Sequence, residues 1–428
     1  MDRALSPGRF IRYRQGASFV RGLRGVARDL ERRVEAGHAD QAADLYRTFI
    51  GACHEKAREM DDSGGELGQF VQDLFVAWLR AQQAAAIPAP EAIQALVSWM
   101  DHDEFGFCYE IEREVAPAMG PEYLAHFVAV ARFRLAGSPP DDGSVGGAPR
   151  RQWTAILRTL LAAQGDADGY RRHCEASGGV TAADCDALAE IHERAGRLEA
   201  ALAWVERGRG ASRSGATGSL AAHELYERHL SLLQRLGRAD EALAEVWTHF
   251  ARDPSSYGYD ELMERAPAAE KASWHERAVA VAEAARLRAS METLLKAGEP
   301  GRLAHRLQHE PDHELRELDP YAISPVARAL ERSQPAAAAR LHRIAAENIL
   351  DEAVSRQYGH ALRHLERARE CYHASGQEAA WAELVEHLRR QHRRKIRFMP
   401  GLERVARGEP ARPPRPSLVA QAKRRRFR

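Results

Sequence analysis

One short unit occurs twice in the chain, as Gly196-Arg197-Leu198-Glu199-Ala200-Ala201-Leu202-Ala203 and as Gly237-Arg238-Ala239-Asp240-Glu241-Ala242-Leu243-Ala244. In each copy a glycine frees the backbone to end one helix in a tight turn, and the small and apolar residues behind it open the next. A helical hairpin of this kind cannot bury its apolar face alone, so it stacks on a neighbour. The unit therefore predicts an all-α fold, an α-solenoid of divergent tetratricopeptide-like antiparallel helical hairpins. Its two glycines, 196 and 237, lie farther apart than the roughly 34 residues of a tetratricopeptide repeat. The Gly, Ser and Ala-rich stretch 208–219 can supply the excess.

Composition agrees with helices. Ala, Leu, Glu and Arg, all good helix formers, dominate, and β-branched runs are scarce. Charged residues make up 29% of the 428, but 62 Lys plus Arg nearly cancel 61 Asp plus Glu. Bulk charge thus gives no case for a nucleic-acid or membrane surface. No stretch approaches the roughly 18 apolar residues of a membrane helix. Arg3, Arg9, Arg12 and Arg14 break up the amino-terminal apolar residues, so no export signal is legible. The expected location is cytoplasmic.

Breaks in the apolar periodicity divide the chain into a flexible basic leader (1–17), an amino-terminal helical block (18–135), a Gly/Pro-rich linker (136–150), a repeat array (151–400) and a basic proline-rich tail (401–428). Asp253-Pro254, and Pro320 with Pro325, mark further junctions within the array.

The motifs that could carry chemistry are few. His309-Glu310-Pro311-Asp312-His313 has the letters of the H-E-x-x-H zinc motif, in which two histidines on one helix face bind the metal and the glutamate activates water. Pro311, however, opposes a continuous helix there, and the cryptic zinc hydrolase at His309, Glu310 and His313 ranks last among the readings. Asp61, Asp62 and Glu66 lack the alternating ligands of a calcium loop and read as a helix cap. Cys53, Cys108, Cys174, Cys185 and Cys371 form no Cys-x-x-Cys pair, so neither a disulfide framework nor a zinc knuckle is indicated. Cys53-His54 and His173-Cys174 are neighbours that point apart on a helix. Tryptophans 78, 99, 153, 204, 247, 274 and 381 fall on apolar faces and read as packing residues. No catalytic residue, metal or cofactor is expected.

The strongest signal outside the core is cationic. Arg389, Arg390, Arg393, Arg394, Lys395 and Arg397 close the last long helix, where cations favour the helix dipole. Lys423, Arg424, Arg425, Arg426 and Arg428 close the chain. Either group could meet an acidic protein surface or a phosphate backbone.

Four segments carry a resemblance: Asp61-Asp62-Ser63-Gly64-Gly65-Glu66-Leu67-Gly68, Ala195 through Trp204, Tyr358-Gly359-His360-Ala361, and Leu388 through Lys395. In these the chain resembles an uncharacterised bacterial helical family, the region that follows the zinc finger in bacterial SWIM zinc-finger proteins, over roughly 18–400. The resemblance implies stacked helical hairpins and a part in assembling or regulating a larger complex. A SWIM finger opens with a Cys-x-Cys pair, which this chain lacks, so a finger would have to come from another polypeptide. The expected function is a non-enzymatic scaffold or adaptor binding a protein partner. The alternative is a nucleic-acid-associated protein acting through its basic carboxyl-terminal region.

Overall fold

The computed structural model describes residues 5, 8, 10–141, 143, 147–213 and 220–409. Among them every regular element is a helix, and the one β feature is an isolated parallel bridge between Ile11 and Met60. The chain forms two compact units, Met1–Gly237 and Arg238–Arg428. This division differs from the expected one. The 136–150 stretch does not separate folding blocks, because the helices flanking it pack on each other. The expected 151–400 array is instead shared between the two units.

Unit 1 contains α1 (Tyr13–Glu35), α2 (Ala39–Ala57), α3 (Glu66–Ala84), α4 (Ala89–Asp101), α5 (Ile111–Val115), α6 (Pro121–Gly137), α7 (Ala148–Gln164), α8 (Ala167–Ala176), α9 (Ala182–Arg194), α10 (Leu198–Arg213) and α11 (Leu220–Arg235). Helices pack on the next in sequence from α1 to α3 and from α6 to α11, and on the next but one at α1 with α3, α3 with α5, α4 with α6, α5 with α7, α7 with α9 and α9 with α11. That is the nesting pattern of stacked hairpins. Val20, Leu23, Tyr46, Phe49, Phe70, Phe75 and Trp78 are buried in one continuous core that runs on to Leu188 and Ile191. Polar ties reinforce the stacking: Arg228 of α11 donates to Asp186 of α9 at 2.6 and 3.1 Å.

One boundary is revised, and one turn interrupts the amino-terminal helices. The first helix begins at Tyr13 rather than near Ser18, so the last residues of the expected leader are helical. Most of 104–110 is turn, because Asp103 accepts from the backbone N–H groups of Phe105 and Cys108 at 3.2 and 2.6 Å and holds the chain out of a helix.

Unit 2 contains α12 (Ala239–Arg252), α13 (Ser256–Arg265), α14 (Lys271–Ala284), α15 (Leu287–Lys296), α16 (Pro300–His309), α17 (Asp312–Arg316), α18 (Pro320–Leu330), α19 (Pro335–Asp351), α20 (Tyr358–Ala374), α21 (Glu378–His392) and α22 (Met399–Ala406). Here α19 is central: α16, α17, α18 and α20 all pack on it. Its run Ala336-Ala337-Ala338-Ala339 brings neighbouring helices close, and Leu341, His342, Ile344, Ala345, Ala346, Ile349 and Leu350 are all buried. The basic tail expected from 401 onward begins with structure, since Leu402 and Val405 of α22 enter the core beside Phe398.

A single turn recurs in both units. At Gly196 the backbone takes φ 71°, a left-handed value that only glycine adopts without strain. Arg197 N–H then reaches back to His192 O at 2.9 Å, closing the helix in a Schellman turn. The same backward bond follows Gly37, Gly165, Gly298 and Gly376. Gly237, the second glycine of the repeated unit, has φ 74° and ends unit 1.

Pro325 does not mark a junction. It lies inside α18, in the second turn, where its missing N–H costs one hydrogen bond, to the carbonyl of Tyr321.

Candidate functional site

In unit 2, a cavity of about 1180 Å³ is walled by α18, α20 and the ends of α17 and α19. A second, of about 650 Å³, is bounded by Arg288, Glu292 and Lys296 of α15 and shares Asp319, Tyr321 and Pro325 with the first. The two meet over the start of α18. There Tyr321 stands 84% exposed. Asp319 sets this corner by accepting from Tyr321 N–H at 2.7 Å as the N-cap of α18.

From the wall of the larger cavity, at Ser324 and His364, a chain of polar side chains contributed by three helices runs inward. Ser324 Oγ of α18 lies 3.1 Å from His364 Nε2 of α20. His364 Nδ1 lies 3.0 Å from Nδ1 of His342 on α19. His342 Nε2 lies 3.0 Å from Glu331 Oε1, which also accepts from Arg367 at 2.6 Å. His342 has no solvent exposure.

The proton positions follow from the two ends of this chain. Glu331 is pushed upward by burial, but hydrogen bonds from Arg367 and His342 prevail and hold it below the ordinary carboxylate value. As a carboxylate it can only accept, so His342 donates from Nε2. Burial holds His342 neutral, which makes its Nδ1 an acceptor for His364 Nδ1–H. His364 Nε2 is then an acceptor too, and the Ser324 hydroxyl donates to it.

Burial, followed by His342, Arg328, Arg367 and Arg363, pushes the pKa of His364 down to about 4. Three of the groups named there are arginines and none is a carboxylate. Arg367 is satisfied by Glu331, and Arg316, at the other end of the cavity, bonds Glu347 and Asp351. Arg328 and Arg363 have no carboxylate partner among the described residues, and Arg363 instead bonds His360 Nδ1 at 2.9 Å. The Ser324 end of the cavity therefore carries two uncompensated guanidiniums.

A serine bonded to a histidine has the outline of an activated nucleophile. Two features oppose that chemistry. A histidine with a pKa near 4 is a weak base at neutral pH. Ser324 also sits inside α18, where the helix ladder consumes the backbone N–H groups that an oxyanion would need.

The other candidate residues lie elsewhere. Helix α16 ends at His309, and Glu310 and Pro311 are extended before α17 starts at Asp312. His309 and His313 therefore share no helix face, and His309 Nδ1 bonds His305 O at 2.8 Å. Asp312 is held by Arg340 at 2.6 Å and Arg343 at 2.5 Å. Among the described residues no group of three or more His, Cys, Asp or Glu could hold a metal ion. Asp62 accepts from Leu67 and Gly68 N–H at 2.9 and 3.0 Å, which is a helix cap for α3.

All five cysteines are buried. Burial pushes the thiols of Cys53 and Cys108 up to about 12. Cys371-Tyr372-His373 is a Cys-x-His spacing that the sequence reading passed over; it lies within α20, with Cys371 buried.

The carboxyl-terminal cations separate into two kinds. Arg389 bonds Glu403 at 2.6 Å and also Glu386, and Lys395 Nζ donates to Leu350 O. Arg390, Arg393, Arg394 and Arg397 are exposed. Lys423, Arg424, Arg425, Arg426 and Arg428 lie outside the described residues.

These features define a protein of stacked helical hairpins with a cavity in its second unit that carries, at its Ser324 end, two arginines with no carboxylate partner among the described residues. The chain belongs to a family of unknown function, DUF6880, whose sequence model matches residues 4–399. Among curated proteins none matches it in sequence. Among the solved structures it is similar to are the following two. One is a structure of Naa15/Naa10 bound to HypK-THB, at 14% identity and a TM-score of 0.29, over 85% of this chain and 62% of that one. The other is a circular tandem repeat protein with novel repeat topology and enhanced subunit contact surfaces, at 16% identity and a TM-score of 0.16, over 91% of this chain and 90% of that one. The chain thus spans less than two thirds of the first structure's length, and likenesses this distant decide nothing about function. Among the described residues no helix is long and apolar enough to cross a membrane.

Proposed function

We propose that this chain is a non-enzymatic adaptor, acting in the bacterial cytoplasm, that holds an extended segment of a partner protein in the groove over α18. The observation that carries this reading is Tyr321, an 84% exposed aromatic at the meeting point of two cavities of about 650 and 1180 Å³. Exposed tyrosines beside concave surfaces are favoured binding anchors, because their ring is apolar, rigid and polar at its tip. Stacked helical hairpins commonly serve as binding surfaces, and the weak base at His364 with no free backbone donors at Ser324 supports a binding role over catalysis.

The test is a comparison of baits in the native host. Full-length chain is expected to retain a stoichiometric protein that Tyr321→Ala loses. Capture unaffected by Tyr321→Ala would refute the groove as the docking surface, and capture of nothing above control would refute the adaptor. The similarity to the region behind the SWIM finger makes a finger-bearing polypeptide a first partner to look for.

A second reading has its own observation. Arg390, Arg393, Arg394 and Arg397 cluster at the end of α21, exposed and without a carboxylate partner among the described residues. If they and the terminal cations meet nucleic acid, binding weakens steeply with salt and on deletion of 411–428. No binding at low salt would remove this reading.

A further inference from the structure

We propose that the Ser324 end of the larger cavity is a binding site for a phosphate monoester carried on a side chain of the partner segment. This rests on the adaptor reading and specifies what the groove recognises.

The charge balance points to a dianion. Of the arginines lining the cavity, Arg316 and Arg367 are neutralised within the fold. Arg328 and Arg363 approach from different helices with no carboxylate partner among the described residues, so two positive charges face the same space. Glu317, Asp319 and Glu352 also line the cavity, but as caps of α17, α18 and α19, and none figures among the charges acting on His364. A carboxylate side chain would offset one guanidinium. A phosphate monoester near neutral pH carries close to two negative charges, and its three terminal oxygens suit two guanidinium forks.

The relay supplies a further donor when an anion arrives. As long as His364 is neutral the Ser324 proton points at it, and the hydroxyl presents only lone pairs to a ligand. Burial is the first cause that keeps His364 neutral and the arginines add to it; an anion beside Arg328 and Arg363 offsets the arginine share and so moves His364 toward protonation. Once His364 takes a proton, its Nε2–H donates to Ser324 Oγ and its Nδ1–H still donates to His342, whose bond to Glu331 is undisturbed. Ser324 O–H is then free to turn to the phosphate. The groups facing His364 in this exchange are Ser324, Arg328 and, through His342, Glu331 from α18; His342 from α19; and Arg363 and Arg367 from α20 itself.

A partner-borne phosphate fits better than a free one because the cavity does not end at the charged site. It continues past Tyr321 and Pro325 into the second cavity, which leaves room for polypeptide beyond the anion.

The proposal is tested with full-length chain in a phosphate-free buffer and three probes: a degenerate phosphoserine peptide library, the same library unphosphorylated, and inorganic phosphate. Fluorescence anisotropy reads the labelled libraries, and calorimetry and competition read inorganic phosphate. The phosphorylated library is expected to bind about tenfold or more tighter than either of the others, as two charge-assisted contacts allow. Arg328→Ala/Arg363→Ala should erase the difference, with an unchanged circular dichroism spectrum and melt because both side chains are exposed.

Equal affinity for the two libraries overturns the site, as does discrimination that survives the double variant. Inorganic phosphate binding as tightly as the phosphorylated library overturns the partner-borne assignment. Retention of a partner that Tyr321→Ala loses but Arg328→Ala/Arg363→Ala keeps would leave the adaptor standing while the phosphate site falls.

Discussion

Acid should weaken this protein through one identifiable ring. His364 is ordinarily half protonated near pH 6.5, but in the folded chain its pKa is about 4. Between those values the unfolded chain binds a proton that the folded one does not. The stabilising contribution is therefore complete above about pH 6.5 and is lost as pH falls toward 4. Going from pH 7.5 to pH 5, linkage gives a loss of about 2 kcal/mol from this one group, and allowing for the part of the ring that water reaches reduces it to about 1 kcal/mol.

His54, His173, His192, His342 and His392 are also held below their ordinary values, by burial first in each case. Wild type alone thus cannot isolate His364. The informative comparison is with His364→Gln, which cannot titrate. Urea midpoints at pH 7.5, 6.5, 5.5 and 5.0, in phosphate-free buffers, should fall more for wild type than for the variant, by about 1 kcal/mol at the acid end. Parallel slopes for the two proteins would refute the protonation scheme of the relay.

Three further outcomes follow from the packing. Gly401 of α22 lies so close to α20 that an added Cβ would come within 2.2 Å of Leu362 Cδ1, so Gly401→Ala should cost about 1–2 kcal/mol in the melt even after the leucine tip shifts. Arg277 stacks between Trp247 and Trp274, 4.4 and 4.0 Å from their ring centroids; Arg277→Ala should change the tryptophan emission and cost about 1 kcal/mol by urea denaturation. Zinc should raise the melting temperature of wild type no more than that of His309→Ala/His313→Ala, and a rise of several degrees seen only in wild type would restore the metal reading.

The helical architecture was legible because hairpin turns leave a local mark. Gly196 announces a turn in sequence, and Gly37, Gly165, Gly298 and Gly376 make the same backbone bond, though more varied residues follow them. What was illegible is non-local. Ser324, Glu331, His342 and His364 sit on three helices at separations that match no motif, and only packing α18 and α20 against α19 brings them together. One sign was present: His342 interrupts the apolar run Leu341, Ile344 and Ala345 on a helix buried nearly all round, where a polar ring needs partners. Pro325 misled in the opposite direction, since a proline early in a helix costs one bond and need not end it. The basic run 389–397 read as uniform, yet the fold gives Arg389 and Lys395 internal partners.

Lys395 has a consequence for how the chain can be shortened. Its ammonium sits on the last turn of α19, at Leu350 O, and near the ring of Tyr358, while Phe398, three residues on, has no exposed surface. Trimming the arginine-rich end back to His392 would therefore uncap the central helix of the second unit and open a hole beside it. A cut placed after Gly408 spares both, which makes that glycine the natural edge for any fragment meant to separate folding from charge.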